Sequence, residues 1–69
     1  MCYWFERTGD YVRCEVRRAG DEYELTVVKA DGAHRVWRFT DSSALYRHQV
    51  AIEQRLLDRG WKGPHGRTV

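Results

Sequence analysis

The sequence has few cysteines and no long apolar run, and each shortage excludes a class of protein. Only two of the 69 residues are cysteines, too few for the disulfide framework of many small secreted domains. No apolar stretch approaches the ~20 residues of a membrane-spanning helix, and the N-terminus lacks the apolar core of a secretory signal. These absences predict a soluble cytoplasmic protein with reduced thiols.

Residue spacings typical of metal sites and enzyme active sites are also missing. The potential metal ligands fall in no CxxC or HxxxH spacing; they are Cys2, Cys14, His34, His48 and His65. No glycine-rich loop precedes a helix, so no phosphate-binding loop is predicted. Asp41 and Ser42 are explained as helix-start residues rather than as partners of His48 in a hydrolytic triad. The sequence therefore predicts no metal, no cofactor and no enzymatic activity.

Charge and length indicate one small domain without strong attraction to polyanions. Twelve basic and ten acidic side chains give a formal net charge of +2, too little to predict a polyanionic partner by itself. Splitting so short a chain would leave two pieces too small for a core. We predict one domain over residues 1–61, followed by a flexible basic tail over residues 62–69, where Gly63, Pro64 and Gly66 break any regular pattern.

What the sequence does contain is a series of four extended segments, each closed by turn residues. In order they are CYWFER (2–7), YVRCEVRR (11–18), EYELTVVK (22–29) and HRVWRF (34–39). Alternation of apolar and polar residues, clearest in the second segment, is typical of half-buried strands. Asp31-Gly32 between the third and fourth segments is a strong hairpin signal.

After the fourth strand the apolar period becomes that of a helix. Thr40 or Asp41 is a suitable N-cap for a helix that runs to about Arg59. Gly60 fits the left-handed position beyond its end, and a Schellman motif would then pack Trp61 against a leucine one turn back. The predicted fold class is α+β: a four-stranded antiparallel meander with one C-terminal helix packed on one face, in the order ββββα.

The first strand carries three adjacent aromatic residues, which cannot all enter one core. A two-residue loop at Thr8-Gly9 would bury Tyr3 and Phe5 and expose Trp4, whereas a bulged turn would reverse this arrangement. We favour the first register because it buries two aromatic rings. The first strand is also predicted to be a sheet edge that can accept a strand from another chain.

Aromatic and arginine side chains share the face of the sheet that the helix leaves open, which we term the outer sheet face. Sheets that bind single-stranded nucleic acid carry such a combination, and the candidate residues here are Trp4, Tyr11, Arg13, Arg17 and Arg38. Glutamates lie among these arginines, and an ion pair of Arg17 with Glu22 favours an ordinary solvated face. Nucleic-acid binding is therefore the alternative rather than the first hypothesis.

The helix has two apolar stripes, and one is enough to seat it on a small sheet. The first stripe is Leu45, Ile52 and Leu56, and the second stripe is Tyr46, Val50 and Leu57. The second stripe either joins a wide contact with a curved sheet or meets another chain, most simply a second copy. Glu53 lies between the stripes; it is either a carboxylate with a perturbed pKa or, as we favour, an edge residue whose stem packs on the core.

Three quoted segments resemble small uncharacterised bacterial proteins of similar length: CYWFERTG, the Asp-Gly hairpin before HRVWRF, and the helix ending RLLDRGW. The likeness covers residues 2–61 and implies a fold and a bacterial cytoplasmic setting, but no activity. The order ββββα is also similar to that of Whirly proteins and of coactivator-type single-stranded DNA binders, which often dimerise through helices. No binding motif of theirs is present.

The predicted function is that of a small non-enzymatic binding domain. Its partner is predicted to be a second copy or another protein, bound through Tyr46, Val50 and Leu57 or through the exposed aromatic first strand. The alternative is single-stranded nucleic-acid binding by the outer sheet face, and a third hypothesis is an accessory subunit of an enzyme. No membrane partner is predicted.

Overall fold

Six elements make up the computed structural model, which describes residues 1–66. They are β1 (Cys2–Arg7), β2 (Asp10–Ala19), β3 (Glu22–Val28), β4 (His34–Phe39), α1 (Ser42–Asp58) and β5 (Lys62–His65). The strands form one antiparallel sheet in the order β4-β3-β2-β1-β5. The predicted α+β class with an antiparallel sheet and one helix is confirmed. The prediction of four strands is wrong, because a fifth strand follows the helix.

The turn at Thr8 and Gly9 sets the register of the first hairpin. Both residues have positive φ angles, 45° and 86°, as required by a two-residue turn whose twist matches that of the strands. Tyr3 and Phe5 consequently face the core and are buried, whereas Trp4 points to the outer sheet face and is 39% exposed. The favoured register of the first strand is confirmed.

The turn between β2 and β3 also contains two residues, Gly20 and Asp21. Arg17 therefore lies opposite Glu24. The predicted pairing of Arg17 with Glu22 is wrong, because it requires a two-residue loop at Ala19-Gly20, and a loop one position later moves the partner of Arg17 by two residues along β3.

Capping residues define both ends of the helix. The Asp41 carboxylate accepts a hydrogen bond of 3.0 Å from the Ser43 amide, which satisfies one of the free donors of the first turn. At the other end Gly60 has a φ of 87°, and the Trp61 amide donates to the Leu56 carbonyl at 3.0 Å. This is the Schellman motif that the sequence predicted.

Strand β5 lies within the segment predicted as a flexible tail. Trp61 is 9% exposed and holds the chain against the core, and Lys62–His65 then pairs antiparallel with β1. Pro64, joined to Gly63 by a cis peptide bond, is compatible with this position because an edge strand can dispense with one amide donor. The tail prediction is wrong for Lys62–His65, and residues 67–69 lie outside the described residues.

The position of β5 also removes the predicted free edge of the sheet. β1 lies between β2 and β5, so its backbone pairs on both sides within the same chain. The edges among the described strands are β4 and β5 instead. The prediction that the first strand accepts a strand from another chain is therefore wrong.

The core lies between the sheet and the helix. Its buried side chains are Tyr3, Phe5, Val12, Cys14, Leu25, Val27, Leu45 and Trp61. The helix follows β4 and precedes β5, and it contacts both of these edge strands as well as β3. One helix, about 10 Å wide, thus crosses the full width of a five-stranded sheet and cannot cover its whole face.

Candidate partner-binding surfaces

Three surfaces remain open around this arrangement. The helix crosses the sheet from one edge to the other, and a groove lies on each of its two flanks. The third surface is the outer sheet face, which no helix covers among the described residues. Each surface combines exposed apolar or aromatic side chains with a different distribution of charge.

The second stripe lies on one flank of the helix and is exposed. Tyr46, Val50 and Leu57 have exposed fractions of 66%, 44% and 41%. Together with Met1, which is half exposed, they line a groove of about 390 Å³. The alternative of a wide contact that buries both stripes in the sheet is therefore wrong, because the first stripe alone contacts the core.

The polar residues between the two stripes have structural roles or line the groove. The Gln49 side chain donates a hydrogen bond of 3.0 Å to the hydroxyl of Tyr3, and so ties the helix to β1. Glu53 is half buried and lines the groove of the second stripe. This position agrees with an edge residue; its catalytic use stays an untested hypothesis.

The outer sheet face brings the predicted nucleic-acid residues together in two separate groups. Trp4, Tyr11 and Arg13 line one shallow groove of about 610 Å³, along with Glu6 and His65 of the neighbouring strands. The Trp4 ring lies 5.9 Å from the ring of His65, whose Nε2 is 3.6 Å from a carboxylate oxygen of Glu6. This groove therefore offers two exposed aromatic rings and one arginine, with a carboxylate beside them.

The second group is an ion-pair network across three strands. Glu24 on β3 accepts hydrogen bonds from the guanidinium of Arg17 at 3.0 Å and from that of Arg38 at 3.1 Å. The hydrogen bond from Arg17 is the largest cause that lowers the pKa of Glu24 below its ordinary value, and Arg38 acts in the same direction against partial desolvation. Two of the predicted phosphate-binding arginines are thus engaged by a carboxylate.

This network predicts a pH-dependent effect of Glu24→Gln. A carboxylate with a lowered folded-state pKa contributes stability above its unfolded-state pKa, and that contribution disappears as the pH falls through the folded value. The ordinary value is 4.5. We therefore expect the variant to be less stable than the wild type at pH 7 and the difference to vanish well below pH 4.5. Urea unfolding followed by circular dichroism across this range measures it.

The matched control is Glu15→Gln on the same face of the sheet. Within residues 1–66 the Glu15 carboxylate forms no ion pair with an arginine. An equal and pH-independent loss of stability in both variants would contradict the ion-pair explanation.

The other flank of the helix borders a cleft that is larger than the groove of the second stripe and that was not predicted from the sequence. We term it the corner cleft. Its volume is about 600 Å³, and its floor is apolar: Val12, Val27, Trp37, Ile52, Leu56 and Trp61. Its rim carries five exposed basic residues: Arg7, Lys29, Arg35, Arg55 and Arg59. Arg55, on the helix, borders the apolar floor.

A signal for this cleft was present in the sequence. Arg55 and Arg59 are four residues apart, which places two like charges on one flank of the helix at a cost to the isolated helix. A basic residue near the C-terminus of a helix is explained by the helix dipole. The dipole accounts only for basic residues of the helix. It does not predict that Lys29 and Arg35, from a distant hairpin, line the same cleft.

The histidines and cysteines do not assemble into a metal site within residues 1–66, where no three His, Cys, Asp or Glu side chains come together. Cys14 is buried in the core, and Cys2 is exposed. His48 packs against Trp37 and Phe39 at ring distances of 4.7 and 5.4 Å. In the same part of the chain, no helix has the length and apolar character needed to span a membrane.

Comparison of the chain with protein-family models, with curated proteins and with solved structures found no match. The resemblance to small bacterial proteins therefore stays a prediction. The functional argument has to proceed from the three surfaces alone.

Proposed function

We propose that this protein is a non-enzymatic binding domain that self-associates through the second stripe. The observation that carries the proposal is the exposure of Tyr46, Val50 and Leu57 around one groove on the helix. Contiguous exposed apolar side chains on a small domain are typical of an interaction surface. Self-association is also a common way for a chain of this length to bury additional apolar area.

The charge of the groove favours a second copy as the partner. A two-fold symmetric interface brings the same patch of both subunits together, so a patch of like charges would repel its own copy. Glu53 is the one Asp, Glu, Lys, Arg or His side chain among the seven residues that line this groove. The corner cleft, with five basic residues on its rim, could not meet its own copy in this way.

Light-scattering mass on a size-exclusion column tests the proposal across a concentration series. We expect the mass to rise from monomer to dimer, and Tyr46→Arg or Leu57→Arg to keep the monomer mass throughout. A buried unpaired charge at the centre of an interface costs about 2 kcal/mol or more, roughly a thirtyfold weaker association.

Ala51→Arg is the matched control, because it adds the same charge to an exposed position on the opposite flank of the helix. It should leave the association unchanged. A wild-type protein that stays monomeric at the highest attainable concentration would contradict the proposal.

Single-stranded nucleic-acid binding is the second candidate, favoured by the groove of Trp4, Tyr11 and Arg13. Bases can stack on exposed rings while an arginine contacts phosphate. We expect an oligothymidine to quench Trp4 fluorescence, with reversal by salt and loss in Arg13→Glu. Quenching that persists in Arg13→Glu would argue against this function.

A further inference from the structure

The corner cleft concentrates the positive charge of the protein. The whole chain carries twelve basic and ten acidic side chains. Five basic residues but only two acidic ones, Asp10 and Asp31, line this cleft; the other described residues carry six basic and eight acidic side chains. The described part of the chain is therefore slightly acidic outside the cleft and strongly basic inside it, a separation that attracts an anionic partner to this place.

The basic side chains of the cleft keep their charge free for an anionic partner, although Arg7 also donates a hydrogen bond of 3.0 Å to the Arg59 carbonyl. Within residues 1–66 none of the five forms an ion pair, whereas Arg17 and Arg38 on the outer sheet face share Glu24. Of the two acidic residues, Asp31 accepts a hydrogen bond of 2.9 Å from the Ala33 amide and so stabilises its own turn. Arginine side chains that have no ion-pair partner can form bidentate, charge-assisted hydrogen bonds with the carboxylates of another molecule.

The floor of the cleft requires that the partner also carry an apolar group. Val12, Val27 and Trp61 are buried, and Trp37, Ile52 and Leu56 are half buried, below a rim of exposed residues. A volume of about 600 Å³ is within the range of ligand pockets, roughly 300–1,000 Å³. The cleft can thus hold an apolar side chain at its base while carboxylates reach the arginines above.

The two tryptophans of the cleft are arranged differently from the stacking platforms that bind nucleic-acid bases. The Arg7 guanidinium lies 4.5 Å from the centre of the Trp61 ring, and the Arg35 guanidinium lies 5.0 Å from that of Trp37. These cations occupy the ring faces on which bases would stack. A flat bilayer surface would meet the rim, but it would not reach the buried floor.

We propose that the corner cleft binds an acidic peptide segment of a partner protein, with one apolar side chain of that segment seated on the floor. Carboxylates of the peptide bond to Arg35, Arg55 and the neighbouring basic residues, and the apolar side chain contacts Ile52 and Leu56. This site is separate from the second stripe, so it does not depend on self-association.

The test uses the full chain and the indole N–H signals of its three tryptophans in a ¹H–¹⁵N spectrum. Trp37 and Trp61 line the cleft, and Trp4 lies in the groove of the outer sheet face. The probe is an acetylated, amidated peptide with a central leucine between two runs of four glutamates. We expect it to shift the Trp37 and Trp61 signals in a saturable, salt-sensitive manner and to leave that of Trp4 in place.

Peptide controls separate charge from apolar anchoring. Replacing the leucine with serine should weaken binding, and replacing the glutamates with lysines should abolish it. Equal binding of the lysine peptide overturns the proposal, as does a lack of any shift at millimolar concentration of the glutamate peptide. If an oligothymidine shifts the Trp37 and Trp61 signals and the glutamate peptide does not, the proposed peptide is wrong and nucleic acid is the ligand of the cleft.

Two cleft variants test the location. Arg55→Glu should weaken binding of the peptide roughly tenfold or more. Arg47→Glu, the same charge reversal at an exposed helix position that does not line the cleft, should have little effect. Ala51→Phe narrows the cleft without a change of charge and should also weaken binding. Spectra of unchanged dispersion show that the variants are folded. Equal losses in Arg55→Glu and Arg47→Glu, or full binding by Ala51→Phe, overturn the proposed site.

Discussion

Trp61→Ala should lower the free energy of unfolding by about 3–5 kcal/mol, the range for truncation of a large buried aromatic side chain. Trp61 is 9% exposed and belongs to the core. It also lies where the helix ends, with its amide bonded to the Leu56 carbonyl and the Arg7 guanidinium over its ring. Its loss would therefore release the helix C-terminus and β5 together.

Urea unfolding followed by far-ultraviolet circular dichroism measures this effect. A loss of this size is a large part of the roughly 5–15 kcal/mol that stabilises a typical domain, so a substantial unfolded fraction is expected in the absence of urea. Trp61→Phe, which keeps most of the apolar volume, should recover much of the stability.

Trp4→Ala is the matched control, because it removes the same side chain from the outer sheet face. Trp4 is 39% exposed and packs beside His65. We expect a loss of about 1–2 kcal/mol, in proportion to the smaller apolar area buried. Equal losses for Trp4→Ala and Trp61→Ala would contradict the placement of Trp61 in the core.

The second large effect is expected for Gly63→Ala in β5. Gly63 has a φ of 150°, a conformation that residues with a side chain rarely adopt. A Cβ atom there would lie 2.8 Å from Cδ2 of Phe5 and 2.9 Å from the Trp4 carbonyl oxygen. Because Phe5 is fully buried and cannot move aside, backbone strain and overpacking should together cost about 2–4 kcal/mol.

Thermal unfolding measures the expected loss, which should appear as a decrease in Tm of roughly 10 °C or more for a domain of this size. Gly32→Ala is the control with the same kind of backbone but no close neighbour. Gly32 has a φ of 89°, and no atom lies within 4 Å of its added Cβ. It should cost only about 1–2 kcal/mol. A smaller effect at Gly63 than at Gly32 would show that β5 does not pack on β1 as described.

Much of the fold could be predicted because it depends on neighbouring residues. Strand alternation, the Thr8-Gly9 turn and the Gly60-Trp61 helix end each involve groups only a few positions apart. β5 was missed because its segment, with Gly63 and Pro64, has no strand propensity of its own. It forms a strand because Trp61 is anchored in the core and because β1 offers free backbone groups for pairing. Both causes are tertiary contacts.

The candidate surfaces, too, could be predicted only where they depend on residues close together in the chain. The second stripe was visible in the helical period, and its exposure then depended on how far one helix extends over the sheet. The corner cleft gathers Arg7, Lys29, Arg35 and Arg55 from separate elements, and no local pattern joins residues so far apart in the chain.

The sequence by itself determined the α+β class, the helix with its caps and the alternation of the half-buried strands, and it favoured one of two registers for the first hairpin. Those features follow from local backbone conformations and from periods of two and 3.6 residues. Only the tertiary structure decided that β1 is an interior strand, that Glu24 pairs with two arginines, and that the positive charge is gathered beside an apolar floor. The helix crosses the sheet from edge to edge, and that crossing, which depends on packing between distant residues, determines which side chains face a partner.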